Sequence, residues 1–307
     1  MKNLWNRLFL EERPSISLSF FRIFAALATG FYVIPTFFPL ADNYLSTAFK
    51  TYNSNFFPVW FIVLVQKSPD SLVVFFVWLF CFAWVFFLIG FLSQMSCIVM
   101  VACCYYFYAL NHFAVGHALT WDILLVTLFQ MCWVPYHGDY FSLDCLLRGD
   151  ISAYKRRRPF FLQRLLQMQI GFTYFYTALY KITASGNWLK DNPLYYLLNY
   201  PPQGVTKNFL LKEFMAARPE LCYWTGISLV LTELTMLFLL FYPPTRISAI
   251  YLGVVFHIAL ILTLDVPAIF FFLFPAQLLL FIHPDRVLRW IEQKRLFNEN
   301  NRQSRLV

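Results

Sequence analysis

Long apolar stretches, separated by short polar ones, run along almost the whole chain. Each is continuously apolar, whereas the strands of a membrane β-barrel alternate apolar and polar residues. A helix rises about 1.5 Å per residue, so about 20 apolar residues cross a hydrocarbon core of about 30 Å. The pattern therefore predicts an all-α, polytopic transmembrane bundle of about eight helices. The predicted spans are 17–39, 71–92, 95–113, 119–136, 159–182, 221–242, 246–264 and 267–283.

The stretch between the first two predicted spans leaves two interpretations open. Residues 41–66 include the run FFPVWFIVLV, which is apolar but shorter than a membrane crossing. One interpretation is a ninth crossing or a re-entrant piece. The other is a segment at the membrane interface, anchored by its Phe and Trp side chains. We expect the interfacial form.

Composition and charge agree with a membrane protein. Of the 307 residues, 60% are hydrophobic and 13% are charged, against about 25% charged residues in soluble domains. Lys and Arg concentrate in alternate connecting segments, and cytoplasmic loops are enriched in both. We therefore expect residues 1–285 to form a membrane domain with both chain termini in the cytoplasm, followed by a basic cytoplasmic tail over 286–307.

The lipid bilayer is consequently the first expected partner of the chain. The topological bias accounts for the net charge of +8. The basic stretch YKRRRP is therefore expected to lie on the cytoplasmic side, and no nucleic acid is predicted as a partner.

Cysteine and histidine positions give no support for a metal centre. The seven cysteines include no CxxC pair, and the histidines lack ligand spacing. We interpret the cysteines as small buried hydrophobic residues. The GxSxG, HExxH and Gly-rich phosphate-loop motifs are absent from the sequence, so neither a hydrolase nor a nucleotide-driven enzyme is indicated.

The fifth predicted span carries a polar stripe. Its members recur at steps of three and four, which places them on one face of a helix. This face is expected to contact protein or water rather than lipid. Lys181 ends the stripe at the outer side of the membrane, where snorkelling to the interface is the alternative interpretation. The stripe comprises Gln163, Gln167, Gly171, Tyr174, Thr177 or Ala178, and Lys181.

Ionisable residues interrupt other predicted spans as well. Glu233 lies in mid-helix and is the natural ionic partner of a buried cation, either Arg22 or Lys181. For any one such residue, a structural hydrogen bond is the simpler interpretation. Their number nevertheless favours a functional site. The other polar positions singled out are Asn111, His112 and His257.

Four short motifs occur in order along the chain. LNHFAVG ends the third span, YFSLDCLL follows the fourth, YFYTALYKITASGNW ends the fifth, and FHIALI lies in the seventh. In residues, order and spacing they resemble the HTTM (horizontally transferred transmembrane) domain family. The best-known member of that family is the vitamin K-dependent gamma-glutamyl carboxylase.

The resemblance implies a chemistry. In the carboxylase, the lysine matching Lys181 is the base that deprotonates reduced vitamin K, a quinol, and the histidine matching His112 assists it. Oxygen converts the cofactor into a stronger base, which takes a proton from the γ carbon of a peptide glutamate, and carbon dioxide adds there. The residues implied in cofactor or substrate binding are Asn111, Gln167, Tyr174, Trp188 and His257, and those implied in structural ionic contacts are Arg22, Asp144 and Glu233.

Two departures from the family pattern limit what the resemblance implies. Tyr180 directly precedes Lys181, where family members usually carry a small residue. The carboxylase has a large soluble domain after its membrane helices, whereas this sequence continues into the basic tail. We therefore expect the resemblance to cover the membrane catalytic core, without a direct transfer of glutamate carboxylation.

Two functional hypotheses follow. The first is a carboxylase-like enzyme that uses a quinol and modifies a secreted or periplasmic peptide. The second is a non-catalytic factor for the maturation or export of a secreted peptide or toxin, with the outer loop 183–219 as its docking surface. In both, the expected location is a bacterial cytoplasmic membrane. A transporter is disfavoured because the two halves of the chain lack matching Gly/Pro-broken helices.

Overall fold

The computed structural model describes residues 6–37, 58–110, 118–149, 156–183, 187–200, 209–266 and 269–303. Each of the eight predicted spans contains a helix, which confirms the all-α polytopic class. The α-helices, in chain order, are Ile16–Phe37 (α1), Val59–Gln66 (α2), Asp70–Ile89 (α3), Ser93–Leu110 (α4), Ala118–Cys132 (α5), Leu143–Leu147 (α6), Phe161–Thr183 (α7), Pro193–Asn199 (α8), Lys212–Ala216 (α9), Pro219–Phe241 (α10), Arg246–Thr263 (α11), Ile269–Leu279 (α12) and Pro284–Gln303 (α13).

Five described helices are long and apolar enough to cross a membrane: α1, α3, α4, α10 and α11. Helix α12 has only 11 residues. Helix α7 has sufficient length at 23 residues, but its Gln, Arg and Lys side chains lower its hydropathy. The number of crossings, the cytoplasmic placement of the termini and the boundary at residue 285 stay predictions.

The interfacial segment expected between the first two spans is described only in part. Residues 41–57 of that segment lie outside the described residues. Helix α2 covers 8 residues of the rest, which is too short for a crossing. It buries Ile62 and Val65 and exposes Trp60, so one of its faces is fixed to protein.

The chain divides into two units. The first comprises residues 1–165 and 282–307, and the second comprises residues 166–281. In the first unit, α3 packs against α1 and α4, and α4 packs against α5. The indole Nε1 of Trp84 donates to the Ala26 carbonyl oxygen at 2.8 Å. The ring lies where a side chain at Gly30 would stand, so glycine permits this close approach of α1 and α3.

A two-stranded sheet in the first unit was not expected from the apolar pattern. Glu12–Pro14 (β1) pairs antiparallel with Arg157–Pro159 (β2), with Arg13 opposite Arg158. Helix α13 packs against α1 and β1, and Arg157 reaches Asp285 of α13 at 3.0 Å. Strands this short carry no readable alternation, so their residues indicated only polar connecting segments.

In the second unit, α10 packs against α11, and α11 packs against α12. The short helices α8 and α9 both pack on α10. A β-carbon at Gly171 of α7 would stand 2.8 Å from Leu237 of α10. Glycine therefore allows the polar face of α7 to lie close to α10, and this approach positions the site described next.

Candidate functional site

An ion pair joins α7 to α10 in the second unit. Nζ of Lys181 lies 2.5 Å from Oε1 and 2.6 Å from Oε2 of Glu233. The side chain of Glu233 is 6% exposed and that of Lys181 is 23% exposed. A carboxylate in the middle of an apolar helix requires a cation or hydrogen-bond donors. Of the two cations considered from the sequence, Lys181 is the one that contacts Glu233.

The residues below Lys181 on α7 line the same buried face. Gln163, Gln167 and Tyr174 are each at least nine-tenths buried. The hydroxyl of Thr177 donates to the Tyr174 carbonyl oxygen at 2.9 Å. The polar stripe predicted from the sequence is therefore an interior face of the protein.

Trp188 covers the ion pair from the segment that follows α7. Its backbone N–H donates to the Lys181 carbonyl oxygen at 3.0 Å, and its ring centroid lies 5.3 Å from Lys181 Nζ. Gly226 of α10 lies against the ring, with 3.5 Å between the ring and a β-carbon built at that glycine. Tyr223 donates to the Leu189 carbonyl oxygen at 3.0 Å and holds this segment on α10.

Tyr180, the departure from the family pattern beside the lysine, does not enter the site. Successive helical residues point about 100° apart, and Tyr180 is 62% exposed. Its bulk therefore leaves the space around Lys181 Nζ unchanged.

A second polar pair lies deeper in the same unit. The Tyr174 hydroxyl and His257 Nε2 are 2.6 Å apart, and both side chains are buried. The His257 ring stacks on Phe274 with centroids 5.1 Å apart. His257 Nδ1 has no hydrogen-bond partner among the described residues. Tyr174 precedes Lys181 by two helical turns, about 10.5 Å along the axis.

Gln167 has a structural contact. Its side-chain Nε2 donates to the Leu280 carbonyl oxygen at 2.7 Å. This carbonyl follows α12, at a helix end where backbone acceptors lack intrahelical partners. Gln167 was expected to bind substrate or cofactor, and its amide N–H is used here to fix the end of α12 to α7.

Asp144 and Arg22 belong to the first unit, where they form a polar cluster. Asp144 accepts from the backbone N–H groups of Leu92 and Ser93 at 2.8 and 3.0 Å, and so it caps the start of α4. Arg22 is fully buried. It donates to the carbonyl oxygens of His137 and Phe141 at 3.2 and 2.6 Å.

Gly90 adjoins this cluster at the end of α3. Its φ of +73° lies in the left-handed region, and the Arg22 guanidinium occupies the position where a β-carbon would stand. Ser142, the N-cap of α6, accepts from the Cys145 N–H at 3.0 Å. The motif YFSLDCLL therefore has a structural explanation in helix capping around Arg22.

An ionic contact that the sequence did not predict holds the strand pair within the first unit. Asp139 accepts from Nε of Arg158 at 2.9 Å and from the Ser15 hydroxyl at 2.9 Å. The hydrogen bonds that Arg158 donates to Asp139 raise the pKa of Arg158 above its usual value. Both residues lie in short polar connections, and no sequence pattern indicated that these connections meet.

Two predicted site residues, Asn111 and His112, lie outside the described residues. The site of the second unit therefore consists of Lys181, Glu233, Trp188, Tyr174 and His257. Among the residues that the structure describes, no group of three His, Cys, Asp or Glu side chains could hold a metal ion. The arrangement offers one ion pair and one neutral hydrogen-bonded pair, which can bind polar atoms and exchange protons in an apolar surrounding.

An all-α bundle of apolar helices with buried ionic contacts defines the class of the protein: it is an integral membrane protein. The chain belongs to the HTTM family, since the family model described as HTTM domain matches residues 11–286. This confirms the resemblance inferred from the four motifs. No curated protein and no solved structure matches the chain.

Proposed function

We propose that the protein is a membrane enzyme in which the Lys181–Glu233 pair accepts a proton from a quinol, and that this step serves the carboxylase-like modification of a peptide. The observation that carries the proposal is the ion pair itself, formed beneath Trp188 on the polar face of α7. The HTTM membership supports it, since the family resemblance implies a base at the position of Lys181. The bacterial cytoplasmic membrane is the proposed location.

The energetics of the ion pair favour a functional role. Removing two charges from water costs several kcal/mol per ion, and replacing a buried pair by apolar residues is often neutral or stabilising by about 1 to 4 kcal/mol. A gain in stability therefore does not explain the presence of this ion pair. Lys181 is also the more exposed partner, at 23% against 6% for Glu233, so its side chain is the one that a ligand can reach.

The side chains around Lys181 suit a reduced quinone, which has an aromatic ring with hydroxyl groups. Trp188 offers an aromatic face, and Lys181 and Glu233 offer a donor and an acceptor for a hydroxyl. When bound, such a quinol would supply reducing equivalents for a reaction with oxygen. Thus the donor set of the described residues fits the group that the family resemblance implies.

Proton balance defines what the pair can do. Glu233 and Lys181 together carry one proton fewer than they can bind, because an ammonium faces a carboxylate. A proton released by a hydroxyl would be taken by the pair, which then consists of an ammonium and a carboxylic acid. The positive charge at Lys181 Nζ would meanwhile stabilise the negative charge that develops nearby.

Tyr174 and His257 are proposed to bind the more deeply placed part of the ligand. They are buried and mutually hydrogen-bonded, and His257 Nδ1 retains an unused hydrogen-bonding position among the described residues. Asn111 and His112, which lie outside the described residues, are proposed to take part in binding and catalysis. Their roles rest on the family resemblance.

A specific observation favours the second candidate, a non-catalytic factor for the maturation or export of a secreted peptide. The Lys181–Glu233 pair would then serve only to fasten α7 to α10. The outer loop exposes apolar and aromatic side chains, among them Tyr200 at 74% and Leu210 at 97%. These side chains would form the docking surface.

The experiment that separates the candidates is a turnover assay on detergent-purified protein. Reduced quinones are added, and oxygen uptake and incorporation of labelled carbon dioxide into peptide are followed. Lys181→Ala and His112→Ala are expected to lower both signals to the no-enzyme level. Glu233→Gln is expected to lower them strongly, because it removes the proton acceptor while it keeps the shape.

Lys190→Ala is the matched control, since this exposed lysine follows Trp188 by two residues. It is expected to leave oxygen uptake unchanged. Full retention of every activity in folded Lys181→Ala and His112→Ala would end the enzymatic proposal. Loss of peptide maturation on Tyr200→Ala or Leu210→Ala, with Lys181→Ala silent, would establish the second candidate.

A further inference from the structure

Two cysteines from neighbouring helices of the first unit have their sulfur atoms in contact. The Sγ atoms of Cys97 in α4 and Cys132 in α5 are 3.7 Å apart. The seven cysteines of the chain are all free thiols. Because the sequence contains no CxxC pair, each cysteine was predicted to be a small buried hydrophobic residue. Their contact depends on the packing of α4 on α5.

The two cysteines differ in what surrounds them. Cys97 lies within α4 and is fully buried, and its thiol also contacts the Leu128 carbonyl oxygen at 3.6 Å. Cys132 is the last residue of α5 and is partly exposed. Its carbonyl oxygen accepts from the Gln94 side chain at 3.1 Å. Cys97 is therefore held between the helices, whereas Cys132 stands at a helix end and is partly exposed.

We propose that Cys97 and Cys132 form a reversible disulfide when the protein meets a hydroperoxide. The thiol of Cys132 attacks the peroxide oxygen, which gives a sulfenic acid and releases water or an alcohol. The thiol of Cys97 then attacks the Cys132 sulfur, the S–S bond forms, and the sulfenic oxygen leaves as water. The two cysteines are oxidised by two electrons, and the peroxide is reduced by two.

The geometry needs only a small adjustment for this bond. A disulfide has sulfurs about 2.05 Å apart and requires α-carbons within about 7 Å. Thiols already in contact on two packed helices are close to this arrangement, and rotation of the Cys132 side chain at the helix end can close the remaining gap. The bond would link α4 to α5 near Ser93, where α4 begins, and Cys132, where α5 ends.

Cys104 is the rival partner for Cys132, because it is also a buried cysteine of α4 and lies two turns after Cys97. The 3.7 Å sulfur contact of Cys132 is with Cys97 and not with Cys104. Cys97 is therefore the expected partner, and variants of the two residues distinguish them.

The test counts reactive thiols before and after oxidation. Purified protein in detergent is treated with hydrogen peroxide, denatured, and labelled with a maleimide that adds mass to each free thiol. Wild type is expected to lose two of its seven labels without forming a dimer on a non-reducing gel. A reducing thiol is expected to restore both, and mass spectrometry should identify the peptides of Cys97 and Cys132 as linked.

Single variants decide the assignment. Cys97→Ala and Cys132→Ala are expected to abolish the paired loss, and alanine avoids placing a hydroxyl in a buried position. Cys103→Ala is the control, a buried cysteine of the same helix, and should still lose two labels. A paired loss that persists in Cys97→Ala or vanishes in Cys104→Ala would overturn the proposal. An unchanged label count in wild type at a peroxide dose that forms trappable sulfenic acid would do the same.

Discussion

The first and second units each hold a cation against buried polar atoms, and the partners of the two cations differ. Arg22 is fully buried, and its bonded N–H groups meet backbone carbonyl oxygens. Lys181 is partly exposed and meets a carboxylate with both oxygens. Backbone acceptors fix Arg22 as a structural centre that cannot exchange protons. Lys181 instead pairs with a carboxylate, and this ion pair can exchange protons. The proposed chemistry therefore lies in the second unit.

Replacement of Arg22, the structural cation, should have the largest effect on stability. Arg22→Ala removes the donors of two buried carbonyl oxygens and leaves a cavity, so we expect a loss of about 3 to 5 kcal/mol in the free energy of unfolding. The measurement is thermal unfolding in detergent, together with the yield of monodisperse protein. Arg148→Ala, at an exposed arginine, should change neither. An Arg22→Ala protein as stable as wild type would show that Arg22 is not a structural centre.

Loss of the proposed functional cation should affect stability less. Lys181→Met leaves the carboxylate of Glu233 without its cation, and we expect a loss of about 2 to 3 kcal/mol. Protonation of Glu233 limits this loss, a relief that is not available around Arg22. The same unfolding measurement applies, with Lys190→Met as the control. A loss as large as that of Arg22→Ala would make the two cations equivalent.

The surroundings of Arg22 also predict a pH dependence of stability. Burial, and after it the nearby charge of Arg22, lower the pKa of His137 to about 3. The folded state thus disfavours protonation of the His137 imidazole. In the unfolded chain the same imidazole binds a proton below about pH 6.5. Stability is expected to be complete above pH 6.5 and to fall by about 1.4 kcal/mol per pH unit below it.

Unfolding curves between pH 7 and pH 5 measure this effect. His137→Asn should flatten the dependence, while the same change at His283, which is partly exposed, should alter it less. A pH dependence that is unchanged in His137→Asn would show that the first unit tolerates a charged His137.

The smallest predicted effect concerns the aromatic cover over Lys181. The cation–π contact with Trp188 is worth about 0.5 to 1 kcal/mol at a partly exposed site. Trp188→Ala is therefore expected to lower Lys181-dependent turnover by about two- to fivefold, with little change in unfolding. Trp224→Ala, at an indole that is 64% exposed, is the control. Equal effects of the two substitutions would show that Trp188 has no specific role at the ion pair.

The sequence predicted the helical class because continuous apolar runs suffice to identify it. It also predicted the buried face of α7, since the steps of three and four are a local signal. It could not choose between Arg22 and Lys181 for Glu233, because the choice depends on which helices pack together. The ligands of Arg22 are backbone carbonyls of His137 and Phe141, which side-chain identity does not reveal. The contact of Cys97 with Cys132 could not be predicted either, because it depends on the packing of α4 on α5.

The stability and turnover of the double variant Lys181→Met/Glu233→Leu test most directly whether the ion pair serves chemistry rather than folding. Removing both charges leaves no uncompensated carboxylate, so stability should return to within about 1 kcal/mol of wild type. Quinol-dependent oxygen uptake should be absent from the same preparation. A folded double variant that retains this uptake would contradict the account.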